Sequence, residues 1–145
     1  MNAMVIDPST KSLGWCWIKD GQIHRSGTIV AKGSLVQRLK QIYDAFRIFK
    51  DIDFSYVVTE RMNYRTHHTV NMAIGVIFLA FVDNSCYVND EISPNSWKSF
   101  HGLKQRDKGL KVRSVFKKRF PKWQAQSDDE IEAILMADYF LRRKK

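Results

Sequence analysis

The sequence predicts an α/β protein: a five-stranded mixed sheet with helices on both faces. Three observations lead there. Three apolar runs near the N-terminus are separated by short polar turns, as in a β-meander. Helical periodicities then alternate with short apolar strands, the order that parallel β–α–β crossovers require. The last third carries only helical patterns.

Taken in order, residues 3–7 form the first strand, 14–19 the second, and Asp20-Gly21 the turn into a third over 22–30. Across 34–50, Leu35, Leu39, Ile42, Ala45, Phe46 and Phe49 recur at helical spacing. Residues 55–60 are a short strand closed by Glu60, 66–81 a second helix and 86–92 a fifth strand. Ser93-Pro94 opens a short helix, proline being suited to a first turn. A basic helix over 108–120 stops at Pro121. Ser127 caps a final helix whose opening Asp128, Asp129 and Glu130 suit the dipole. The second helix is apolar almost all round in its later half, through Ile74, Val76, Ile77, Phe78, Leu79 and Phe81. Such a helix is either enclosed in the monomer or covered by a second subunit; a small domain has little else to cover it, which favours the subunit.

At 145 residues, 44% apolar and 12% aromatic, the chain suits one globular domain with a sizeable core. The longest apolar run, 73–82, is too short to span a bilayer. No charged-then-apolar segment opens the chain, so no secretory signal is expected. Cys16 and Cys86 lack metal-ligand spacing and read as buried thiols of a reducing, cytoplasmic compartment. The net charge of +9 is concentrated over 104–122, where Lys104, Arg106, Lys108, Lys111, Arg113 and further lysines are opposed only by Asp107. Clustered positive charge points to a polyanion, because phosphate contacts release counterions; the plainer reading is a solvated surface. The block has no clean bulky apolar face, which argues against a membrane surface.

Asp7 ends an apolar strand and is followed by a polar turn and Gly14. A carboxylate buried at a sheet edge is costly without a metal, a cation or a catalytic task. Glu60 ends another apolar strand, and Asp128 to Glu132 form a third acidic feature. The plainer reading for Asp128 and Glu130 is that they complement the helix dipole and the basic block.

These residues reach a recognisable pattern. Ile6-Asp7-Pro8-Ser9 with Gly14-Trp15 resembles the opening motif of RuvC-type Holliday junction resolvases in the ribonuclease H-like superfamily. Val57-Val58-Thr59-Glu60 is similar to that family's second acidic strand, and Gly75 to the glycine of its next helix. Ser93-Pro94-Asn95-Ser96-Trp97-Lys98 resembles its Pro-x-x-x-Lys segment, and Asp129-Glu130-Ile131-Glu132-Ala133 its acid-x-x-acid-Ala motif.

The resemblance spans nearly the whole chain, and its compact length and departures from the usual motifs suit a phage or viral branch. It implies a ribonuclease H-like fold and a homodimeric endonuclease that makes paired symmetric nicks in four-way DNA junctions. Asp7, Glu60, Asp129 and Glu132 would hold Mg²⁺, with Mn²⁺ able to substitute, and hard oxygen ligands suit those ions. Both Asp128 and Asp129 share a helix face with Glu132; the alignment of Ala133 selects Asp129. Glu132 stands where the family usually has Asp. Lys98 would be catalytic, and Lys98, Lys108, Arg61, Arg65, Lys104 and Lys111 would contact DNA. Tyr64 either stacks on an unpaired base at the crossover or packs within its loop. His67 and His68 are adjacent on a helix and point apart, so they make a poor metal pair; His101 is either a surface residue or a proton carrier beside Lys98. The alternatives are a broader branched-DNA or RNA–DNA hybrid nuclease on the same scaffold, and a non-catalytic nucleic-acid-binding module.

Overall fold

The computed structural model describes every residue of the chain except Asn63, Tyr64, Thr66, Asn84, Ser85 and Cys86. The expectations for Tyr64 and Cys86 therefore lie outside the described residues. Strands β1 (Ala3–Asp7), β2 (Ser12–Lys19) and β3 (Gln22–Val30) form the antiparallel meander. Asp20 and Gly21 both take positive φ, 52° and 74°, the backbone that a tight two-residue hairpin turn demands. Helix α1 (Leu35–Arg47) leads to β4 (Tyr56–Glu60), and α2 (His68–Ala80) to β5 (Val88–Ile92). Both β4 and β5 run parallel to β1, giving a sheet ordered β3-β2-β1-β4-β5. Helices α3 (Pro94–Phe100), α4 (Leu110–Arg119) and α5 (Asp128–Lys144) complete the chain.

Strand alternation divides the core in two. Val5, Cys16 and Val58 face α5, while Met4, Ile6, Leu13 and Val57 face α1 and α2. Helix α5 lies across β1, β2 and β3, flanked by α3 and α4. It buries Ile131, Ala133, Ile134, Leu135, Met136, Ala137 and Phe140, far more than a one-sided surface helix would. The opposite face is aromatic: Trp17, Phe49, Phe54 and Phe81 meet edge to face. The predicted helices on both faces are present.

The differences from the sequence reading are local. Strand β2 begins at Ser12, two residues before Gly14, because Ser12 still pairs with Val30. Helix α4 starts at Leu110, after Gly109 in a positive-φ conformation (60°). Helix α2 is enclosed on one side only: Ala73, Ile77 and Ala80 are buried, whereas Met72 and Leu79 stay exposed. Among the described residues no helix is long and apolar enough to cross a membrane. Cys16 is a buried free thiol, its pKa pushed far up by desolvation.

Candidate active site

Asp7 and Glu60 end two adjacent parallel strands at the middle of the sheet. The register Ile6↔Thr59 sets them side by side. The alternation that turns Val5 and Val58 toward α5 also turns Asp7 and Glu60 that way, two residues on. Open α/β sheets carry their ligands at such carboxyl ends of strands.

Helix α5 supplies the other acids, and several devices fix its approach. Gly14 pairs with Asp7 across the β1–β2 ladder, and a Cβ there would lie 2.0 Å from the carbonyl oxygen of Asp129. Only glycine lets the backbone of α5 lie so close to the strand. Ser127 caps the helix by accepting from the Glu130 N–H. Glu130 is buried and accepts from Ser26 Oγ at 2.6 Å and from the Gln126 N–H at 2.8 Å. These bonds set the rotation of α5, so that Asp129 and Glu132 face the strand ends and Glu130 faces β3.

Asp7, Asp129 and Glu132 each bring a carboxylate oxygen within 4.8 Å of the others. Asp128 is instead held in an ion pair with Arg113 of α4 at 3.0 Å. Of the two candidate aspartates it is thus Asp129 that joins the cluster. Glu60 stands just beside this trio. Its Oε2 accepts from the indole N–H of Trp97 at 2.6 Å.

Electrostatics tie the four acids together. Desolvation, then the charges of Glu132 and Glu60, hold the Asp7 carboxyl well above its usual range. The close approach of the Asp7 and Glu132 carboxyls raises Asp7 further. Glu132 is also raised, by desolvation first, with the neighbouring Asp7 carboxyl and then Lys98 pulling it back. Glu60 is raised by desolvation, opposed by the Trp97 hydrogen bond and by Lys98 and Lys108. The set is all carboxylate oxygen, half-buried and mutually repelling, which suits a hard divalent cation.

The basic residues divide into two kinds. Lys98 is buried, and its ammonium donates to the carbonyls of Gln105 at 2.9 Å and Asp107 at 3.2 Å. It clamps the α3–α4 loop and also lines the cleft that holds Glu60 and Lys108. That loop is folded further by Asp107, whose carboxylate accepts from the Lys104 N–H at 2.7 Å. Lys108, just beyond, is exposed and lines two clefts. One, of about 550 Å³, also holds Glu60, Arg61, His67 and Asn95. The other, of about 220 Å³, holds Asp128 and Glu132. Arg61 pairs with Glu91 at 3.2 Å and Lys111 with Asp107 at 3.4 Å, while Lys104 and Arg65 are exposed. His101 lies away from the cluster: its ring is buried, with Nε2 on the Leu135 carbonyl and near Asp138. His67 precedes α2 without capping it.

Three contributors escaped the sequence reading as functional positions: Trp97, Ser12 and Glu130. Ser12 Oγ donates to Asp129 Oδ2 at 2.8 Å. Trp97 and Ser12 sit inside or beside the motifs already singled out, which was the only local signal available.

The structure is similar over its whole length to solved resolvases. Thermus thermophilus RuvC matches with a TM-score of 0.74 at 15% identity, covering 99% of this chain and 97% of that one. T. thermophilus RuvC in complex with Holliday junction substrate matches with a TM-score of 0.74 at 13% identity, covering 99% and 96%. The yeast mitochondrial Holliday junction resolvase Ydc2 gives 0.60 at 14% identity, covering 97% and 78%. No protein-family model and no curated protein matches the sequence. The full-length superposition shows that the chain has the RuvC-type, ribonuclease H-like fold.

Proposed function

We propose that the chain is a divalent-metal-dependent endonuclease that resolves four-way DNA junctions by paired symmetric nicks, acting as a homodimer. The observation that carries this reading is the gathering of Asp7, Asp129 and Glu132, with Glu60 beside them, under a basic rim. One of the similar solved structures is bound to a Holliday junction, which supports a branched substrate.

Asp7, Glu60, Asp129 and Glu132 are the residues that would hold Mg²⁺ or Mn²⁺. Bound there, divalent cations supply an activated water and neutralise charge at the attacked phosphate. Asp7 faces all three other acids and is the natural shared ligand. Lys108, exposed at the rim of the cleft that Lys98 also lines, would bind the scissile phosphate. Lys98 contributes its charge to Glu60 and Glu132 from below while pinning the loop that presents Lys108. Arg61, Arg65, Lys104 and Lys111 extend the positive rim; the exposed pair of Arg61 with Glu91 is weak and exchanges readily for phosphates. Products would be religatable 5′-phosphate and 3′-hydroxyl ends.

The homodimer reading is supported by α2, where Met72, Gly75 and Leu79 run along one exposed face, with Val82 exposed just beyond its end. The test is incubation of labelled four-way DNA with and without Mg²⁺, beside Asp7→Asn and Glu60→Gln. Symmetric nicks that need the metal and vanish in both variants are expected. Cleavage that persists in Asp7→Asn would overturn the assignment. Equal cutting of a flap or an RNA–DNA hybrid would replace it with a broader nuclease.

A further inference from the structure

We infer that Trp97 and Ser12 are positioning residues that hold one oxygen of Glu60 and of Asp129, and so tune the acidic site toward small octahedral cations over Ca²⁺; this rests on the metal-dependent reading above.

Two of the four acids are held by neutral donors from outside the cluster. The Trp97 indole N–H donates to Glu60 Oε2 at 2.6 Å, and the Ser12 hydroxyl donates to Asp129 Oδ2 at 2.8 Å. Neither donor carries a charge, so neither competes with a cation for the site's negative field. Each instead occupies one oxygen of its carboxylate and leaves the other for a metal.

The donors are themselves rigid. Trp97 is fully buried in the core against α5, on a helix opened by Pro94, and the Lys98 ammonium lies 5.5 Å from its ring centroid. The indole therefore has no room to swing away when an ion binds. Ser12 begins β2, where the ladder to Val30 fixes its backbone. Outer partners of this kind orient metal-binding carboxylates and set their affinity.

The consequence is selectivity. Mg²⁺ takes single carboxylate oxygens, keeps several waters and tolerates little departure from octahedral geometry. Ca²⁺ accepts more oxygens and often takes both from one carboxylate. A carboxylate with one oxygen already bonded to a fixed N–H or O–H suits the first ion and hinders the second. Removing the donor frees the second oxygen for Ca²⁺.

The experiment is calorimetric titration of Mg²⁺, Mn²⁺ and Ca²⁺ into the wild-type protein, Trp97→Phe, Ser12→Ala and Glu60→Gln, without DNA, with thermal melts to confirm folding. Trp97→Phe keeps the ring and removes only the donor; it is expected to shift the Ca²⁺-to-Mg²⁺ affinity ratio about tenfold toward Ca²⁺. Ser12→Ala should shift it in the same direction, and decides the matter alone if Trp97→Phe does not fold. A wild-type ratio in the folded variants overturns the inference while leaving the metal site standing. Wild-type protein that binds none of the ions overturns the metal-dependent reading itself, and this inference with it.

Discussion

At the scale of single residues, the site is a set of carboxyls kept in an unfavourable place. Asp7 is raised by desolvation first and then by neighbouring charge, so the native state holds its proton more tightly than the unfolded chain does. Its stabilising effect is complete below the ordinary carboxylate pKa and is lost as pH rises through the raised native value. His101, held low by burial, and Asp107, held low by its backbone N–H bond, act in the opposite direction as pH falls. The comparison that isolates the site is therefore wild type against Asp7→Asn, unfolded by urea in a chelator. Asparagine keeps the shape without the charge, and should stabilise the metal-free protein by about 1 kcal/mol at neutral pH. That advantage should shrink on acidification toward about pH 4, and saturating Mg²⁺ should reverse it. An Asp7→Asn protein no more stable than wild type at neutral pH would show that the cluster carries no strain. Lys98 teaches a complementary lesson. Its motif position marks it for phosphate and it does line the cleft, but lysine reads as exposed in any sequence, and nothing local discloses the two carbonyls that also hold its ammonium.

At the scale of elements, the site depends on how closely one helix approaches one strand. The Cβ of an alanine at position 14 would meet three backbone atoms of α5: the Asp129 carbonyl oxygen and carbon at 2.0 and 2.2 Å and the Glu130 nitrogen at 2.5 Å. Backbone cannot swing aside as a side-chain tip can, so the N-terminus of α5 must lift. Gly14→Ala is expected to cost about 2–3 kcal/mol in a denaturant melt. It should also weaken Mg²⁺ binding, because Asp129 and Glu132 move with the helix. A variant of wild-type stability with unchanged metal binding would show that α5 is not held by this contact. Much of this level was legible in advance. Apolar runs ending in Asp7 and Glu60 marked both strand ends, and the periodicity of each helix survived into the structure with shifts of a few residues at the termini. What could not be read were the partners that aim the acids. Trp97 stands inside a motif that points to Lys98, and it is buried core; only the fold brings its N–H to Glu60, distant in sequence. Glu130 looked like a helix-dipole charge, yet it is the buried acceptor that docks α5 on β3 through Ser26. Long-range hydrogen bonds leave no periodicity behind, so pattern reading finds the ligands and misses what holds them.

At the scale of the whole molecule, the open question is what covers α2. Its inner side packs Ala73, Ile77 and Ala80 against the sheet and α1, while Met72, Leu79 and Val82 remain 51%, 56% and 60% exposed. Met72 and Leu79 lie seven residues, two helical turns, apart and so share one stripe, with Gly75 between them, where an added Cβ would meet nothing; Val82 follows just past the helix end. A flat apolar stripe with a glycine at its centre suits close approach of an identical helix about a two-fold axis. Paired nicking of a junction also needs two active sites. Leu79→Glu places a charge in the middle of the stripe, where two copies would face each other without partners. The wild-type protein is expected to sediment as a dimer at micromolar concentration and Leu79→Glu as a monomer. The variant should retain Mg²⁺ binding, since the acids lie on the opposite face of the sheet, but should nick junction strands singly rather than in pairs. A wild-type protein that stays monomeric while making paired cuts, or a Leu79→Glu protein that still dimerises, would move the subunit contact away from α2.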